Sequence, residues 1–97
     1  MPVDEPAPVT RDRLAIEFRE RLDLVRRHGW GPYRGVWSSG EVAVVEALLG
    51  RVGYVPEACT KLASALWGLA GAEDDAAADY PRTRAWLSAA ASGESDT

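Results

Sequence analysis

Few residues in this chain have the chemistry for catalysis. There is one histidine, His28, and one cysteine, Cys59. A thiol–imidazole pair needs both groups in one cleft, and the residues around neither follow a cysteine-hydrolase pattern. His28 falls at the end of a helical pattern, where an imidazole suits the negative end of the helix dipole. The nearest acids before it, Glu20 and Asp23, do not form a metal-ligand spacing with it. Cys59 lies on the apolar side of a helical repeat, which points to a buried, inert thiol. Three adjacent carboxylates, Glu73-Asp74-Asp75, are read more simply as a solvated cap at the positive end of a helix than as a general acid and base. No catalytic residue, metal ligand or cofactor is expected.

Binding chemistry is concentrated in Gly29-Trp30-Gly31-Pro32-Tyr33-Arg34-Gly35-Val36-Trp37. This is no phosphate loop, because it lacks the lysine and the strand–loop–helix setting. It does place Arg34 among aromatic rings, where a guanidinium can take an anion or stack on a base. The simpler reading has Arg34 lying solvated along an indole. Trp30, Tyr33, Arg34 and Trp37 are therefore candidate binding residues. Trp67 joins them because it falls at the border of an apolar helix face.

The elements that must position these residues read as helices. Leu14, Phe18, Leu22 and Val25 recur at helical spacing and predict a helix over 11–28, capped by Thr10 and stopped by Gly29. Glu17–Arg21 and Asp23–Arg27 are favourable pairs four apart on it. Ser38 and Glu41 have capping-box spacing, and Gly50 can end the helix between them. Val42, Val44, Val45, Leu48 and Leu49 make that helix apolar on several sides, so it should be the central one. Pro56 and Glu57 open a third helix that Gly71 is expected to end. A turn or two of helix at 72–79 and a last helix over about 81–91 follow. Tyr33–Trp37 and Arg51–Val55 are β-like in composition and could pair as a short two-stranded ribbon. The expected fold is thus all-α: a compact four-helix domain over 10–91 with a Gly/aromatic loop. Residues 1–9 and 92–97 should be flexible tails.

Ninety-seven residues suffice for one small domain. The formal charge of −4 argues against a general nucleic-acid binder. Its distribution is uneven: residues 1–37 carry seven Arg against six acids, and residues 71–97 carry six acids against two Arg. One cysteine allows no internal disulfide. No apolar run has the length for a membrane span, and the first residues lack the pattern of a signal peptide, so a cytoplasmic protein is expected.

The arginine-laced first helix ending in Gly29-Trp30, the glycine-rich connector, the Ala47-Leu48-Leu49-Gly50 helix end and the Trp86-Leu87 segment give a layout over 12–91. That layout resembles a family of small actinobacterial and actinophage proteins of unknown function. The resemblance implies a phage or host regulatory setting and brings no mechanism.

Three functions follow from this sequence. The first is a non-enzymatic protein–protein interaction or self-associating module, motivated by Ile16, Leu24, Val44, Leu48 and Trp67, which fall off the main apolar stripes. The second is a nucleic-acid-associated regulator using Arg11, Arg19, Arg26, Arg27 and Arg34. The third is a small-ligand pocket lined by Trp30, Trp37 and Trp86.

Overall fold

The computed structural model describes residues 5–92. It contains four α-helices: α1 (Pro8–His28), α2 (Ser39–Leu48), α3 (Val55–Ala77) and α4 (Pro81–Ser92). A short 3-10 turn, Val52–Tyr54, precedes α3. No strand occurs among the described residues. The ribbon suggested by composition is absent because both segments close short-range bonds instead. Tyr33 and Arg34 amides donate to Trp30 O, Val36 and Trp37 amides to Tyr33 O, and the Tyr54 amide to Arg51 O. Segments of five residues with a glycine in each gain more from such turns than from a two-stranded pairing.

α2 is the centre of the fold. It touches α1, α3, α4 and the 3-10 turn, and it packs most extensively on α3. Val42 through Glu46 are all buried, as is Leu48. Its ends follow the sequence reading. The Glu41 amide donates to Ser38 Oγ at 3.1 Å, and Glu41 Oε1 accepts from the Ser38 amide at 2.9 Å. At the other end the Gly50 amide donates to Ala47 O and the Arg51 amide to Glu46 O. Gly50 has φ +94°, so this is a Schellman stop, with glycine in the one conformation that other residues avoid.

α1 begins at Pro8, three residues before the sequence reading placed it. Proline's fixed φ and missing amide suit the first helical position. Thr10 is therefore inside the helix, its amide bonded to Ala7 O. The stripe of Ala15, Phe18, Leu22 and Val25 is buried. Asp23 and Arg27 pair at 2.6 Å as expected, whereas Arg21 turns to Glu41 of α2 at 3.5 Å. Residues 1–4 and 93–97, four of the nine residues of the expected first tail and five of the six of the second, lie outside the described residues.

α3 departs furthest from expectation. Gly71 does not end it. The helix bends at Gly68, whose φ of 79° and ψ of 173° break the helical run before it resumes to Ala77. The bend shifts the phase of the apolar face. Leu62, Ala63, Leu66 and Trp67 are buried before it, but Leu69 after it is turned out to water. Each fully buried leucine contributes about 1.5–3 kcal/mol relative to exposure.

Asp75 is the second departure. It was expected to be solvated, yet it is buried. It caps the start of α4 from the far end of α3. Its Oδ1 accepts from the Arg82 amide at 2.8 Å, and its Oδ2 from the Thr83 amide at 3.0 Å and the Thr83 hydroxyl at 2.6 Å. Burial pushes the carboxyl up, but the bonds from Thr83 and Arg82 outweigh it and hold it below its ordinary range. The turn between the helices has φ of 69° at Asp79 and 60° at Tyr80.

Candidate functional site

α2 carries an acid, Glu46, within its buried stretch. The Glu46 side chain is 2% exposed. It is reached from two directions. Arg34, on the connector after α1, donates from Nη2 to Glu46 Oε2 at 2.8 Å. Arg51, just past the Gly50 stop, donates from Nη1 to Glu46 Oε1 at 2.6 Å. One buried carboxylate thus holds two guanidinia whose side chains remain 51% and 57% exposed. Charge-assisted bonds of this length are among the strong ones in proteins.

The connector arranges its aromatics around this pair. Tyr33 stacks on Trp37 with ring centroids 4.7 Å apart. Trp30 meets Trp37 edge-on at 6.1 Å. The Arg34 guanidinium lies 4.5 Å from the centroid of the Trp30 ring, and Arg21 lies 5.7 Å from that of Trp37. Trp30 Nε1 is buried with no hydrogen-bond partner. Beside the cluster runs an open groove of about 330 Å³ lined by Arg34, Trp37, Ser39, Val42, Tyr54 and Glu57. Val36 and Val52, 76% and 80% exposed, stand on the two segments that border it.

Four of the five candidate binding residues therefore come together: Trp30, Tyr33, Arg34 and Trp37. Trp67 is held elsewhere. It is buried, its Nε1 donates to Thr83 Oγ1 at 3.0 Å, and the guanidinia of Arg11 and Arg82 lie 5.0 and 3.9 Å from its ring. Glu5 pairs with both arginines, at 3.3 and 3.2 Å. Trp86 also lies with α1, donating from Nε1 to Arg11 O, and neither it nor Trp30 lines the groove beside Trp37.

Neither a family model, nor a curated protein, nor a solved structure matches this chain.

Of the five apolar residues that fall off the main stripes, Val44, Leu48 and Trp67 are buried inside the fold and Leu24 is half-buried. Only Ile16 is exposed, so the apolar surplus on the surface is a different set: Val9, Ile16, Val36, Val52 and Leu69. Of the arginines considered for nucleic acid, Arg11, Arg27 and Arg34 are paired with carboxylates. Among the described residues no group of three His, Cys, Asp or Glu could hold a metal ion, and no helix is long and apolar enough to cross a membrane. Cys59 is buried, and burial pushes its thiol above the ordinary value. His28 is exposed at the end of α1.

The members of this cluster that sequence reasoning missed are Glu46 and Arg51. A signal existed. Glu46 stands between Val45 and Ala47 in a stretch that is otherwise apolar from Val42 to Leu49, and an acid there needs a cation from outside the helix.

Proposed function

We propose that this chain is a non-enzymatic protein-docking module and that its docking surface is the face built by residues 30–37 and 51–54. The observation that carries the reading is the Glu46 carboxylate, which holds Arg34 and Arg51 half in water, with Arg34 lining a groove shared with Trp37 and Tyr54. Arginine, tryptophan and tyrosine dominate the energetics of protein interfaces, because they bring large area and oriented donors at low entropic cost. Val36 and Val52 add exposed apolar area on the same two segments.

The test is site-specific photo-crosslinking in the cells that make the protein. A crosslinker replacing Val36 or Val52 should trap one discrete species, and one replacing exposed Ala85 on α4 should not. A trapped species of twice the chain mass identifies self-association. No trapping at Val36 and Val52, or equal trapping at Ala85, overturns the reading.

A further inference from the structure

Two arginines of the proposed docking surface share a single carboxylate. Both oxygens of Glu46 are occupied, one by each arginine. Two cations share one anion, so one unit of positive charge remains on a half-exposed pair. Each guanidinium has five N–H donors in a planar fork, and the bonds to Glu46 use Nη2 of Arg34 and Nη1 of Arg51. About half of each side chain is in water, so donors remain that Glu46 does not use. Neither arginine is free to drift, because Glu46 cannot leave the core and Arg34 is also laid over Trp30.

We infer that Arg34 and Arg51 form a receptor for a single carboxylate of an acidic partner segment, with an apolar neighbour of that carboxylate entering the groove between Trp37 and Tyr54. This rests on the docking reading above. One carboxylate balances the residual charge and can be gripped bidentately, as arginine forks favour. The groove beside Arg34 is lined by Trp37, Tyr54 and Val42 among others, and at about 330 Å³ it has room for one large side chain. A phosphate backbone suits the face less well. Arg21 is paired with Glu41, Arg34 and Arg51 share Glu46, and Glu57 lines the same groove, whereas a polyanion is tracked by a succession of unmatched cations.

The experiment uses the full ¹⁵N-labelled chain, observed through its four tryptophan indole signals and the Nε–H signals of its arginines. The probes, at millimolar concentration, are the blocked peptide acetyl-Gly-Phe-Glu-Leu-Gly-amide, its Gln counterpart, and oligo-uridine RNA. The Glu peptide should move the signals of Trp37, Arg34 and Arg51 and leave those of Trp67 and Trp86 in place. It should bind about tenfold or more tightly than the Gln peptide, as expected for hydrogen bonds to a charged acceptor. Arg34→Lys and Arg51→Lys keep the charge beside Glu46 but lose the fork, and each should narrow that ratio. Equal binding of the two peptides, no shift at all, or shifts produced only by RNA overturns the inference. If the Lys variants fail to fold, the Glu–Gln comparison on the unaltered chain still decides. Crosslinks at Val36 and Val52 without Glu–Gln discrimination would leave the docking module standing and remove the carboxylate receptor. Discrimination without crosslinks would do the reverse.

Discussion

The hydroxyl of Thr83 donates to Asp75 Oδ2 across 2.6 Å, joining the last turn of α3 to the first turn of α4. The same hydroxyl accepts the indole N–H of Trp67. A chain of three side chains therefore runs from the bend in α3 to the cap of α4, all of it buried. Buried polar chains of this kind stabilise only while every member is satisfied.

Asp75→Asn should destabilise the fold by about 1–3 kcal/mol, since one cap bond is lost and a buried donor is left facing another donor. The effect should depend on pH with a definite sign. The folded carboxyl lies below its ordinary value of 3.8. Its contribution is thus fully present above that value and is lost as pH falls through the lower folded value. Denaturant melts of the two proteins should differ at neutral pH and converge below about pH 4, where the unfolded carboxyl takes up its proton first. A gap that widened on acidification would contradict the assignment.

Glu46 and its two arginines should behave asymmetrically. Replacing either Arg34 or Arg51 with Met leaves the carboxylate one partner, and with both arginines half in water each change should cost at most about 1 kcal/mol. Replacing both strands a buried carboxylate and should cost about 3–5 kcal/mol. The double-mutant cycle should therefore show a coupling beyond additivity. Glu46→Gln should cost less than the double change, because freed arginines can turn to water and the carboxylate cannot. Urea melts of the parent and the four variants test this.

Gly68 adopts φ 79° and ψ 173°, a region open essentially to glycine alone. Gly68→Ala should lose about 1–3 kcal/mol. Gly35→Ala is the matched control. A Cβ at Gly35 meets no atom within 4 Å, and the change should stay within about 0.5 kcal/mol. Thermal melts of both variants provide the comparison.

Cys59 should be silent toward thiol reagents in the native state. Its thiol is buried and its ionisation is opposed by that burial. Labelling at neutral pH should proceed only through unfolding, so its rate should rise with denaturant in parallel with the unfolded population. Prompt labelling of the native protein would show an opening that this packing does not allow.

What the sequence by itself determined was local. The stripe of Phe18, Leu22 and Val25, the stop at Gly29, the Ser38–Glu41 box and the Gly50 stop are all made by residues a few positions apart, so spacing alone reveals them. It also located four of the candidate binding residues, because they share one connector. The tertiary structure alone decided what the charged groups do. Glu46 is held by residues 12 earlier and five later, and Asp75 caps a helix seven residues on. Helical periodicity marks both acids as polar but carries no information about which other element arrives to cover them. The bend at Gly68 was hidden for a related reason. Two glycines three apart offer equivalent breaks, and the choice between them falls to whichever lets Trp67 reach Thr83 and α4 fold back onto the core.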